Sequence, residues 1–434
     1  MAKAYLAPFL EEVGYERVGE TLPRDYGASR LLAERQGCGP ALLFKVEGSE
    51  LESAGNVVDT RGKLYRALQA GSDEEAYKAL LEAMSSPQPL KMVGAPRLRE
   101  ASRGLLSLPA VKFYEGEAGW YLSASIYIAC YEGVCNASIH RTLVRGEREA
   151  VARIVPRHLW SLYRKARARG EDLPVTIVLG VHPAVLLAAA SSPRLGVFEV
   201  EVASRLMGGL EAYESPIHGN PVPFGAGAIV EAWVTGIMVE EGPYVDALLT
   251  YDRVRKQPLI KVEKVYLDPD GIGHVILGGG LEHAILMGFP REAAIWDAVS
   301  KVVPRVRKVR LTPASGGWLH AVISIEKQHE GDGKSAIMAA FAAHPSLKHV
   351  VVVDSDVDPD NPWEVEWAIA TRFQADRDLV LIRNARGSTL DPSSQDGLTS
   401  KVGIDATKPL EAGPGYKRGV IPGLRSWGGE CRGG

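Results

Sequence analysis

Between residues 134 and 144 the chain reads VCNASIHRTLV. This apolar, strand-like run holds Asn136, Ser138, His140 and Arg141 within six residues. A half-buried strand alternates apolar residues with expendable polar ones, whereas these four supply an amide, a hydroxyl, an imidazole and a guanidinium. Taken alone, Asn136 and His140 also suit a turn or a core. Two other stretches add chemistry: VPRHLW (155–160) opens a helical pattern at His158, and EAYESPIHG (211–219) sets Glu214 among apolar and turn residues. An amide oxygen, an imidazole and a carboxylate form a mixed N/O set suited to Mn2+ or Mg2+. A metal held by so few protein groups keeps positions for water or a cofactor phosphate. VEEGPYVDALL (239–249) carries Glu241 and Asp246 on either side of a Gly-Pro turn. An arginine with two acids can share a proton and position a substrate carboxylate; on spacing alone the two acids also read as solvent-facing charges.

The elements that must position these groups follow from length and texture. At 434 residues the chain exceeds one core and implies two to three domains. With 50 basic against 53 acidic residues it is no phosphate-backbone binder. MAKAYLAPFLEEVG at the start lacks a secretory core, and PAVLLAAASS (183–192) is too short to span a membrane, so a cytoplasmic protein is expected. Cys38, Cys130, Cys135 and Cys431 show no zinc spacing and read as free buried thiols of a reducing compartment. Only five Asn and seven Gln suggest a thermophilic source.

Residues 1–100 mix helix (DEEAYKALLEAMSS, 73–86) with turns. From 101 to 281 short strands at regular spacing (GWYLSASIYIACYEG, LPVTIVLGV, GAIVEAWVTGIMVE, LIKVEKVYL) predict a barrel or sandwich-like domain, interrupted by helices near 157–170 and 183–210. Residues 282–303 read as a linking helix, and 304–434 as an α/β domain with a Gly-, Pro-rich tail from Pro409.

Two stretches imitate other sites. HEGDGKSAIMAAF lacks the first glycine of a phosphate loop, since Gln328 stands there. DSDVDPDNPWE lacks a calcium loop's Gly and Glu, since Pro359 and Val365 stand there; it reads as a turn capping a helix.

NASIHR, EGPYVD and the run DSDVDPDNPWEVEWAIATR…DLVLIRN…SKVGIDATKP together resemble the UbiD family of decarboxylases, from about residue 95 to 410. The resemblance implies an α+β fold: an N-terminal α/β lobe, a central split β-barrel for prenylated FMN, a linker helix and a C-terminal α/β oligomerisation domain. It implies Asn136, His158 and Glu214 as ligands of Mn2+ or Mg2+. Ser138, Ile139, His140, Arg141, Arg153, Ile154, Val155, Arg157, His158 and Lys401 would line or grip the cofactor, Lys401 at its phosphate. AASSP (189–193) resembles a loop that holds K+ in some members, with Pro193 a departure. Arg141, Glu241 and Asp246 would be the catalytic network, Asp246 standing where many members have Glu.

On this resemblance the cofactor stores the electrons released with CO2, and Asp246, its pKa raised by an apolar ring, delivers the proton. The short chain resembles the archaeal branch, which includes decarboxylases of trans-anhydromevalonate 5-phosphate that give isopentenyl phosphate in the mevalonate route. A 4-hydroxybenzoate-type acid is the alternative substrate. For a substrate phosphate the spare cations are His140, His218 and Arg145. A homodimer or larger homo-oligomer is implied, and a flavin prenyltransferase to supply the cofactor.

Overall fold

The computed structural model describes residues 2–395 and 397–419. The fold is mixed α+β, in two compact units: Met1–Gly71 with Ala79–Leu286, and Ser72–Lys78 with the chain from Met287 onward. Residues 1–71 and 79–100 thus share a unit with the central strands.

Nine strands make the main sheet of the first unit: β1 (Arg99–Glu100), β2 (Tyr121–Leu122), β3 (Ile126–Tyr131), β4 (Val134–Ile139), β5 (Thr142–Val144), β6 (Glu149–Ala152), β7 (Leu173–Leu179), β8 (Ala228–Glu241) and β9 (Arg255–Leu267). Their order is β2-β5-β6-β9-β8-β7-β3-β4, with β1 beside β9, and the pairs are antiparallel. Side chains alternate between faces. Val175, Ile177 and Leu179 of β7 therefore join Val230, Ala232 and Val234 of β8 and Ile260 and Val262 of β9 in one core.

Strand β4 is one edge of this sheet and β5 stands next to the opposite edge, yet only His140 and Arg141 separate them in the chain. The two ends of the sheet must therefore approach each other at these residues. Among the described residues no ladder joins them, so hydrogen bonds do not close the sheet, and Arg141 lies where its ends approach.

The helix expected over 183–210 is two, Pro183–Ser191 and Glu199–Leu206, with Ser192 in the left-handed region where the first ends. His158–Ala168 begins at the residue expected. The linking helix runs Leu281–Ser300 with Pro290 inside it.

The second unit has a five-stranded sheet ordered Val306–Leu311, His320–Ile325, His349–Asp354, Leu398–Ala406, Leu379–Arg386. Both imitations resolve as structural ties there. Asp332 accepts from the Gln328 and His329 amides at the start of the helix Asp332–Ala343. Asp354 and Asp356 take Arg372, while Asp358 and Asp360 take Lys308.

The cysteine expectation fails. The turn Glu132–Gly133, both residues at positive φ, sets Cys130 directly opposite Cys135, and the two form a disulfide. Cys38 is disulfide-bonded as well, and no free cysteine occurs among the described residues. Cys431 lies outside them.

Candidate active site

Arg141 is the hub of the site. Its Nε and Nη2 donate to the two oxygens of Glu241, each at 2.9 Å, the paired geometry that planar guanidinium and carboxylate favour. Its Nη1 donates to Asp246 Oδ2 at 2.6 Å, and Nη2 also reaches Asp252 Oδ2 at 2.9 Å. The Tyr244 ring lies under the guanidinium, 4.6 Å from its centroid. Burial works to lower the Arg141 pKa, but the Glu241 hydrogen bonds and the charges of Glu241, Asp246 and Asp252 outweigh it and hold it raised.

Three elements deliver these side chains. Glu241 ends β8 and is fully buried. A Gly242–Pro243 turn follows, then the short strand Tyr244–Val245, paired with Tyr251–Asp252. Asp246 and Asp252 therefore sit at the two limbs of one hairpin. Glu117 pins this hairpin, its carboxylate accepting from the Val245 amide at 3.2 Å and from the Phe113 and Tyr114 amides. The carboxyl of Asp246 is 19% exposed while Glu241 is sealed at 0%, so Asp246 is the acid that a ligand can reach. Neither Asp252 nor Glu117 was singled out by sequence; each stands outside any motif.

The second cluster corrects the ligand expectation. Glu214 is exposed at the end of the strand Glu211–Glu214, facing Pro221 across its ladder. The carboxylate that meets Asn136 is Glu199: its Oε1 accepts from Asn136 Nδ2 at 2.8 Å, and its Oε2 from the Ala137 amide at 2.7 Å. His158 Nδ1 stands 3.6 Å from the same carboxylate. Glu199 is 2% exposed, at the first position of its helix, in sequence FEVEVA. The available signal was that acid inside an apolar helical face.

The proton count at this cluster leaves an oxygen open. Burial pushes His140 down to about 4 despite its bond to the Arg153 carbonyl, so the ring is neutral. Its Nδ1–H donates to Arg153 O at 2.9 Å, so Nε2 must accept, from the Ser138 hydroxyl at 2.9 Å. Ser138 has one hydrogen. None is left for Asn136 Oδ1, 3.0 Å away, whose lone pairs stay available to a cation.

Asn136, His158 and Glu199 thus fit a hard divalent ion. Among the described residues no three His, Cys, Asp or Glu side chains do so by themselves; the amide completes the set. The helix His158–Ala168 starts beside it with no side chain capping its first amides, as an anionic group requires. Arg157, which donates to Ser192 Oγ at 3.3 Å, flanks that end. Ile139 and Val155 are half-buried and offer apolar surface.

Other expected members are placed elsewhere. Ile154 is packed in the core, its amide held by Gln257. Lys401 belongs to the second unit and donates to the Pro345 and Leu347 carbonyls there, both at 2.6 Å. His218 is buried beside Trp233 and 3.9 Å from Glu231; His140 is neutral and so is no spare cation; Arg145 is exposed. In the 189–193 loop, Ser191 is bonded back to the Ala188 carbonyl.

Residues 89–281 match the Rift-related domain of 3-octaprenyl-4-hydroxybenzoate carboxy-lyase, the UbiD family, and residues 284–406 match its C-terminal domain. An anhydromevalonate phosphate decarboxylase from Aeropyrum pernix is 65% identical over 99% of this chain and 98% of its own. One from Methanothermobacter thermautotrophicus is 41% identical over 94% and 98%. Among solved structures, the UbiD-class enzyme HmfF from Pelotomaculum thermopropionicum in complex with FMN has a TM-score of 0.91 at 37% identity, covering 96% of this chain and 97% of its own. An evolved dimeric form of HmfF in complex with prFMN has a TM-score of 0.88 at 34% identity, covering 97% and 98%.

Proposed function

Since this chain belongs to the UbiD family of carboxy-lyases, we propose that it removes CO2 from trans-anhydromevalonate 5-phosphate to give isopentenyl phosphate, using prenylated FMN. The observation that carries this reading is the buried Arg141 joined to Glu241 and Asp246, in a chain 65% identical to a decarboxylase of that name.

When bound, prenylated FMN supplies a sink for the electron pair that CO2 leaves behind. Asn136, His158 and Glu199 would hold Mn2+ or Mg2+ beside its phosphate, with Arg157 and the helix amides adding positive charge. Arg141 takes the substrate carboxylate on its Nη1 edge and orients it, its plane fixed by Glu241. Asp246, next to that edge and partly accessible, holds the proton that replaces CO2 on carbon. For the substrate phosphate, Arg153 is the cation favoured: its guanidinium makes no hydrogen bond among the described residues, with Asp252 at 3.9 Å.

A homo-oligomer belongs to the same reading. Leu379 and Leu381 are 41% and 47% exposed, two residues apart on one face of the strand Leu379–Arg386 in the second unit, apolar surface that a second copy would cover. No helix among the described residues is long and apolar enough to cross a membrane. The cofactor implies a flavin prenyltransferase for maturation.

The test is CO2 release by protein co-produced with a flavin prenyltransferase. Substrates are trans-anhydromevalonate 5-phosphate, its unphosphorylated form and 4-hydroxybenzoate. Turnover of the first alone is expected. Preference for 4-hydroxybenzoate overturns the substrate assignment.

A further inference from the structure

Asp252 lies in no motif, yet it is 7% exposed and bonded to the central guanidinium. A guanidinium has five N–H groups. In Arg141 the Nε hydrogen goes to Glu241, and the two on Nη2 go to Glu241 and Asp252. One on Nη1 goes to Asp246. A single hydrogen is left, on Nη1, the edge that Asp246 shares.

We infer that Asp252 is a positioning residue that closes the Nη2 edge of Arg141, so that a substrate carboxylate can dock only beside Asp246. The inference deepens the decarboxylase reading and rests on it for its catalytic consequence.

The surroundings fit that role. Asp252 is held from behind by Arg255 Nη1 on its other oxygen, and Arg153 Nε stands 3.9 Å away. Burial favours its neutral form, but Arg255 and Arg141 outweigh that and keep it ionised. Its strand pairs with the one before Asp246, Tyr244 facing Asp252, so one hairpin closes one edge of Arg141 and furnishes the acid at the other. Truncating the side chain would leave a carboxylate-sized gap faced by Arg141, Arg153 and Arg255, a second docking place where a substrate sits away from Asp246.

Docking of that kind is unproductive, and it lowers kcat and KM together while kcat/KM holds. The experiment uses the holoenzyme as wild type, Asp252→Ala and Asp252→Asn, checked for flavin content. Titration with cyclohexanecarboxylate, which has no double bond to react, is expected to show about tenfold tighter binding to Asp252→Ala, the worth of one charge-assisted hydrogen bond. Asp252→Asn, which keeps an acceptor, is expected between that and wild type, and it carries the test should the alanine variant fail to fold. Steady-state kinetics on the accepted acid is expected to show kcat and KM falling together in Asp252→Ala. Equal or weaker cyclohexanecarboxylate binding in the variants overturns the inference, as does a fall in kcat with KM unchanged or raised. If the wild type releases CO2 from no acid, the decarboxylase reading fails, while the titration still decides what Asp252 does to Arg141.

Discussion

Asn136 donates its amide hydrogen to Glu199 across 2.8 Å, joining an edge strand to the first turn of a helix sixty-three residues later. The contact is buried and leaves the amide oxygen open, and His158 stands against the same carboxylate. The metal assignment therefore rests on Glu199. Glu199→Ala is expected to lose bound metal and flavin absorbance, and at least about 100-fold in turnover, since a lost ligand costs both affinity and activity. Glu214→Ala, at an exposed strand end, is expected to stay within about twofold of wild type. Metal analysis and the flavin spectrum of both variants decide between the two acids.

Asp246 and Glu241 share Arg141 but differ in access. Asp246→Asn is expected to keep the flavin spectrum and lose about 100- to 10,000-fold in kcat, the range for a missing general acid. Full turnover in that variant removes the proton from Asp246. Glu241→Gln, which leaves a buried guanidinium short of a partner, is expected to cost about 3 kcal/mol of stability besides activity, read by urea unfolding.

Acid sensitivity follows from His140. The unfolded imidazole takes up a proton below about 6.5, whereas the folded one, pushed down to about 4, does not. Between those values the unfolded state binds more protons, so stability is full above 6.5 and falls as pH drops towards 4. The loss is about 3 kcal/mol from this residue. His182, also pushed down to about 4 by burial, adds the same sign. Urea unfolding at pH 7 and pH 4.5 is expected to show the drop, and His140→Gln to flatten it. An unchanged slope in that variant would falsify the assignment to His140.

Leu381→Glu places a charge beside Leu379 on the exposed face of its strand, where Leu381 is 47% exposed. Light scattering after size exclusion is expected to show a smaller species than wild type, with the melting temperature of the monomeric fold kept. An unchanged mass moves the interface elsewhere.

Much of this protein is local and therefore legible in its sequence. Period-two apolar runs become β7, β8 and β9, and the pattern at 282–303 becomes a helix of nearly those bounds. The imitations were excluded by single residues, Gln328, Pro359 and Val365, because a phosphate or calcium loop needs a particular backbone at each place. Arg141, Glu241 and Asp246 were named from NASIHR and EGPYVD, and they meet in the fold.

Other features depend on which strand end faces which helix, and spacing does not encode that. Glu199 beside Asn136 and the buried Asp252 on Arg141 both arise from long-range packing. Cys130 and Cys135 show the same division at small scale. Their types were evident, but only the register of a two-residue turn set them opposite each other. Sequence determined which groups were present and what secondary structure carried them; the tertiary structure decided which became partners, because burial pairs charges by proximity in space rather than along the chain.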